Sequence, residues 1–175
     1  MLNQLRLPEK LRQKLYLIPL AVLACIGFIG LTVISAGAIV NHMDIRTYVA
    51  SWNTSQIKVD ELIEGKLKSV IFIDVRSPEE YAEDHIADSS LVPIDRIEQG
   101  NGVEQIEKIA QAYTKAHLHK PSIVLYCSSG PRSIRAYQHL VGKGYQFVSL
   151  TGGITAWRQA IPASQDRKIL GGQTN

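Results

Sequence analysis

The stretch IVLYCSSGPRSIRAYQHL, residues 123–140, ends an apolar run on Cys127 and places Arg132 five positions later. A thiol at the junction of a strand and a helix is well placed to ionise. The loop over residues 127–132 can curl its backbone N–H groups inward as a nest for an anion, and the helix after it adds the positive end of its dipole. Both favour the thiolate, which is the nucleophile. Gly130 permits a backbone conformation that other residues resist. Arg132 carries a guanidinium able to hold an oxyanion in bidentate fashion. A thiolate, a donor cradle and an arginine together describe a site that attacks an anionic substrate. Pro131 has no N–H, so it removes one donor from the cradle, and it steers Gly130 away from the helical region. The bland reading of Cys127, a small buried residue closing a strand, is outweighed by the flanking Gly-x-Arg and the strand-to-helix setting.

Strand and helix patterns alternate on both sides of this loop. IKV (57–59) reads as a short strand, VDELIEGK as one or two helical turns ending near Gly65, and SVIFIDV (69–75) as a continuous apolar strand. SPEEYAEDH opens a helix, with Ser77 as N-cap, Pro78 at the first helical position and acids in the first turn. SLVPI (90–94), SIVLYC (122–127) and QFVSL (146–150) read as strands. VEQIEKIAQAYTKAH (103–117), RSIRAYQHLVGKG (ending at the glycines 142–144) and GGITAWRQA read as helices. The tail after Pro162 is polar and Gly-rich and reads as loose. Such alternation implies an α/β fold with a mostly parallel central sheet covered by helices on both faces. In such sheets the binding crevice lies at the carboxyl ends of the strands, where Cys127 falls.

Residues 15–40 are almost wholly apolar or small, and no charge occurs from Leu15 to Asn41. As a helix this run would be about 39 Å long, enough to cross a bilayer core with some tilt. Tyr16 at one end, and Tyr48 with Trp52 beyond the other, are candidate interfacial anchors. Residues 1–14 hold Arg6, Lys10, Arg12 and Lys14 against Glu9, so they carry the whole formal charge of +3. The remainder is neutral, which argues against nucleic-acid binding by the soluble part. The basic tail places the N-terminus in the cytoplasm and the domain beyond the span on the exported side. Ala36-Gly37-Ala38 could be a signal-peptidase site, but the apolar run is longer than the roughly 7–15 residues of a cleaved signal, so an uncleaved anchor is expected. In DIRTYVASWN (44–53), Ile45, Tyr48, Val49 and Trp52 mark a short amphipathic helix, lying on the membrane or against the domain. The only other cysteine, Cys25, lies inside the span, so no disulfide framework is implied.

Three segments in order resemble the rhodanese (sulfurtransferase) family. DVRSPEEYAEDHI (74–86) is similar to its first signature, CSSGPRS (127–133) to its active-site loop Cys-x-x-Gly-x-Arg-Ser, and LTGGITAW (150–157) to its closing Gly-Gly-x-x-x-Trp signature. The resemblance implies a three-layer rhodanese-like domain over residues 56–162, preceded by the basic tail (1–14), the transmembrane helix (15–40) and a juxtamembrane segment (41–55), and followed by a flexible tail (163–175). It implies that Cys127 takes a sulfane sulfur from a donor such as thiosulfate, carries it as a persulfide, and passes it to cyanide, a thiol or a protein acceptor. Ser128, Ser129, Gly130 and Ser133 would form the cradle beside the substrate, with Arg132 alongside. Asp74, Arg76, Glu80 and His85 fall in the first signature and read as structural support rather than as bases. Asp84 stands where that signature usually has glycine, and Trp157 reads as core. No cofactor and no metal is expected: His117 and His119 read as a solvated helix end, and His139 as surface. Two alternatives stay open. One is a phosphatase or arsenate reductase on the same fold, although such relatives carry Cys-x5-Arg against the Cys-x4-Arg here. The other is a membrane-tethered binding or regulatory module that keeps the fold alone.

Overall fold

The computed structural model describes residues 9–40 and 43–171, with side-chain detail from Val22 to Val40, from Met43 to Arg167 and at Ile169. Residues 1–8 of the basic tail expected over 1–14, the side chain of the Tyr16 anchor and the last four residues fall outside that description. The chain divides into two units, Met1–Tyr48 and Val49–Asn175. The first contains α1, Glu9–Val40, whose stretch Val22–Val40 is long and apolar enough to cross a membrane. Leu23, Phe28, Val33 and Val40 are among its exposed side chains. The hydroxyls of Thr32 and Ser35 donate back to the carbonyls of Ile29 and Leu31, so neither needs an outside partner. Helix α2, Ile45–Ser51, runs across the boundary between the units.

The second unit is built on five parallel strands, β1 (Gln56–Ile57), β2 (Val70–Asp74), β3 (Ser90–Leu91), β4 (Ser122–Tyr126) and β5 (Gln146–Leu150), in the order β1-β5-β4-β2-β3. Every residue of β4 is buried, because both faces of a central parallel strand are covered. On one face Ile73, Ile123 and Leu125 pack with Ile97 of α5 (Ile94–Glu98), Ile106 and Ala110 of α6 (Asn101–His117), and Ala136 and Leu140 of α7 (Pro131–Leu140). On the other, Phe72, Val124 and Tyr126 pack with Leu62 of α3 (Val59–Ile63) and with Ile154 and Trp157 of α8 (Gly153–Ala160). The expected three layers are present.

Three local readings differ. The strand read over 90–94 is two residues long, because Pro93 cannot donate to a ladder; it caps α5, whose Ile94 and Ile97 turn into the core. The helix after Cys127 stops at Leu140, before the glycines, since Val141 is already extended. Residues 163–171, read as part of a loose tail, instead form a 3-10 turn (Ala163–Gln165) and α9 (Asp166–Gly171). Asp166 is the reason. Only 1% exposed, it accepts from the Trp157 indole (2.9 Å), from Arg158 (2.8 and 3.0 Å) and from the Ala87 amide (3.0 Å).

Candidate active site

In the sheet order, β2 leads outward to β3 while β4 leads the other way to β5. The crevice of a parallel α/β sheet opens where neighbouring strands send their connections in opposite directions. That point lies between the carboxyl ends of β2 and β4. Cys127 directly follows β4, and the loop into α4 (Pro78–Glu83) directly follows β2. The topology alone therefore brings the first signature and the cysteine loop together.

Cys127 is 1% exposed. The Gly130 N–H donates to its Sγ at 3.1 Å, so one amide of the loop does point at the sulfur. Gly130 sits at φ 124°, a conformation open to glycine, and caps α7. Pro131 is the first residue of α7, where the absent N–H removes a donor that would have no partner within the helix. Below the sulfur, Ser133 Oγ lies 3.9 Å from Sγ, donates to the Gly130 carbonyl at 2.8 Å and meets Ser149 Oγ at 2.8 Å. Ser149 is buried on β5 opposite Leu125 of β4 and is not legible from the motifs: only the pairing of the two strands and its hydrogen bond to Ser133 give it away. Ser129 is exposed at the loop tip.

Arg132 does not stand free to grip an oxyanion, as the sequence reading expects. Its Nη1 and Nη2 donate to Glu80 Oε2 and Oε1 at 2.6 and 2.7 Å, and Nη2 also donates to Ser128 Oγ at 2.8 Å. The Ser128 hydroxyl in turn donates to Glu80 Oε1 at 2.9 Å. Glu80 is also the third residue of α4, where its carboxylate accepts from the Ser77 amide while Ser77 Oγ accepts from its own amide. Glu80 thus joins the two loops. The Arg132 hydrogen bonds, with further help from the Ser77 amide and Ser128 and against the cost of partial burial, bring its carboxyl down to about 2. Its proton is held less tightly in the folded than in the unfolded chain. The stability it contributes is therefore full above the ordinary 4.5 and lost as pH falls toward about 2. Urea midpoints measured down that acid range should fall more steeply for the wild type than for Glu80→Gln.

A second support comes from behind. The amides of Ile154 and Thr155, at the start of α8, donate to the carbonyls of Cys127 (2.8 Å) and Ser128 (3.1 Å). Gly153 makes this approach possible. It sits at φ +56°, and a Cβ there would lie 2.2 Å from the Cys127 carbonyl oxygen and 2.7 Å from that of Ser128. Gly153→Ala should cost about 1–3 kcal/mol through its backbone conformation alone, and should displace the loop further by steric overlap. Chemical denaturation measures the first effect, and the rate of Cys127 alkylation the second.

The remaining sequence candidates separate from the thiol. Asp74 and Arg76 form a buried pair of their own, with Arg76 Nε 3.0 Å from both carboxylate oxygens and the guanidinium over the Tyr126 ring. His85, exposed just beyond the end of α4, bonds the Tyr81 carbonyl and stacks on Tyr81. Asp84, the departure from the signature, takes both Nε and Nη2 of Arg158 at 2.8 Å. This holds the Asp84 carboxyl below its usual range and Arg158 above its own. His117 stacks on Tyr113, His119 bonds Ser69, and His139 is exposed. No group of three or more His, Cys, Asp or Glu suited to a metal occurs among the described residues.

Fold and site together define a parallel α/β domain that presents a loop-borne thiol at the switch point of its sheet. The chain belongs to the rhodanese-like domain family, matched over residues 55–160. A thiosulfate sulfurtransferase GlpE of Coxiella burnetii is 30% identical over 115 residues, 65% of this chain and 94% of that protein. An uncharacterized protein of Synechocystis is 36% identical over 93 residues, 53% of this chain; the match spans 45% of that relative's length. Among solved structures, a protein of Rhodopseudomonas palustris described as a possible tyrosine phosphatase superposes with a TM-score of 0.50 at 22% identity, over 65% of this chain and 86% of that one. That likeness extends to the fold alone.

Proposed function

We propose that the chain is a membrane-anchored sulfurtransferase with Cys127 as nucleophile and persulfide carrier. The observation that carries this reading is the Gly130 amide at 3.1 Å from Cys127 Sγ, in a loop with four residues between Cys127 and Arg132. The Cys127 thiolate attacks the outer sulfur of thiosulfate, a Cys–S–S bond forms, the sulfur–sulfur bond of the donor breaks, and sulfite leaves with the electron pair. Cyanide or a thiolate then attacks the outer sulfur of the persulfide and regenerates the Cys127 thiolate. Two half-reactions through a covalent intermediate should give ping-pong kinetics. The Gly130 amide, and the positive end of α7 behind it, favour the anionic sulfur in both states. Ser128, Ser129, Gly130 and Ser133 shape the space around the outgoing sulfur, while Asp74 and Arg76 brace the loop after β2.

The deciding experiment is exposure of the purified protein to thiosulfate, read as a gain of one sulfur atom on the Cys127 peptide and as thiocyanate once cyanide is added. Aryl-phosphate hydrolysis without either signal would overturn the reading in favour of a phosphatase. Neither activity would favour a non-catalytic module. The anchor reading assigns residues 15–40 to the bilayer, 1–14 to the cytoplasm and the domain to the exported side. Because Cys127 is buried, topology is better tested at exposed Lys143. Lys143→Cys should react with a membrane-impermeant maleimide in intact cells; protection until lysis would reverse the orientation.

A further inference from the structure

We infer that Glu80 sets donor selectivity at the cysteine loop: by clamping Arg132 it disfavours dianionic donors such as thiosulfate and favours donors whose sulfane sulfur is carried on an alkyl thiol. This rests on the sulfur-transfer reading and goes beyond it by naming the donor class and the residue that selects it.

A guanidinium offers five N–H groups in a planar fork. In Arg132 the edge formed by Nη1 and Nη2 is wholly taken by the two oxygens of Glu80, at 2.6 and 2.7 Å. The second Nη2 proton goes to Ser128 Oγ at 2.8 Å. The Nε proton and one Nη1 proton are left on opposite flanks of the plane, and the Cys127 sulfur is a further hydrogen-bond and charge partner of the guanidinium. No edge is left with two parallel donors, so a sulfonate cannot be gripped bidentately. The charge is matched as well as the geometry, since the carboxylate cancels the cation at the mouth of the loop. Nor is Glu80 a loose counter-ion that a substrate can push aside. The Ser77 amide holds its Oε2 at 3.1 Å, Ser128 holds Oε1 at 2.9 Å, and its own amide is fixed to Ser77 Oγ. The exposed tip residue, Ser129, adds no charge.

The two donor classes make different demands on such a mouth. Thiosulfate brings two negative charges to a thiolate and releases sulfite, again a dianion. An alkyl persulfide brings at most one charge on its sulfur pair. The Cys127 thiolate takes the outer sulfur of R–S–SH, the donor sulfur–sulfur bond breaks, and R–S⁻ leaves with the electron pair. A mouth whose guanidinium is already paired handles the second exchange with less repulsion.

The test compares full-length wild type with Glu80→Gln, which keeps a residue suited to the third position of the capping box and one acceptor for Arg132. Single-turnover formation of the Cys127 persulfide is followed by mass against concentration of thiosulfate or of cysteine persulfide. In the wild type, half-saturation should come at a lower concentration of the persulfide than of thiosulfate. In Glu80→Gln the thiosulfate value should drop about tenfold relative to that for the persulfide, so the ratio of the two values, rather than a common change in both, reports selectivity. A merely structural role would instead lower both maximal rates together. Salt gives an independent readout. Added salt should weaken thiosulfate binding to Glu80→Gln, where the guanidinium no longer faces a carboxylate, and not to the wild type. An unchanged thiosulfate value in the variant, an equal shift for both donors, or the same salt response in both proteins overturns the inference while leaving sulfur transfer intact. No Cys127 persulfide from either donor in the wild type overturns both.

Discussion

Cys127→Ser is expected to lower sulfur transfer by at least about 10³-fold, since a serine hydroxyl is not ionised near neutral pH and the nucleophile carries the covalent step. The reason for choosing serine is geometric. The side chain is almost fully enclosed, and its neighbours, the Gly130 amide and the Ser133 hydroxyl, can hydrogen-bond an oxygen as well as a sulfur. The variant should therefore fold and keep its unfolding midpoint, which separates chemistry from structure. Thiocyanate formation and the mass of the 127-containing peptide check it. Residual transfer above a tenth of wild type would mean that sulfur travels by some other group.

The largest stability effect falls on a residue outside the family match, Asp166. Asp166→Ala should cost about 3 kcal/mol, the scale of breaking a buried charged hydrogen-bond network by removing one partner. It leaves the Trp157 indole N–H, fully buried, without its acceptor, takes one of two acids from Arg158, and frees the Ala87 amide. For a domain of this size the thermal midpoint should fall by about 10 °C. Asp166→Asn, which keeps an acceptor for the indole, should lose less. Equal midpoints for wild type and Asp166→Ala, by scanning calorimetry, would show that the network contributes nothing net.

These two residues also mark where the sequence is readable. Cys127, Gly130 and Arg132 announce themselves by type and spacing, and the apolar runs VIFID and SIVLY announce central parallel strands, because burial on both faces leaves no alternation. What a linear reading misses is pairing across the fold. Glu80 looks like one of two acids in a helix start; only the adjacency of β2 and β4 sets it against Arg132. Ser149 is an ordinary strand serine until the pairing of β5 with β4 brings it to Ser133. Asp166 lies in a polar, glycine-containing stretch whose composition argues for disorder, and composition cannot see a buried indole seeking an acceptor. Pro131, puzzling as a missing donor in a cradle, is a normal opening residue of α7.

The sheet's two outer strands, β1 and β3, are two residues each. A parallel sheet with long bare borders offers rows of unpaired N–H and C=O groups on which another chain can add, the usual start of aggregation. Here the long strands are all interior, and each border is too short to template a third party. If the domain is held at a membrane by α1, neighbouring copies diffuse in two dimensions at high local density. Short borders then let them crowd without stitching together.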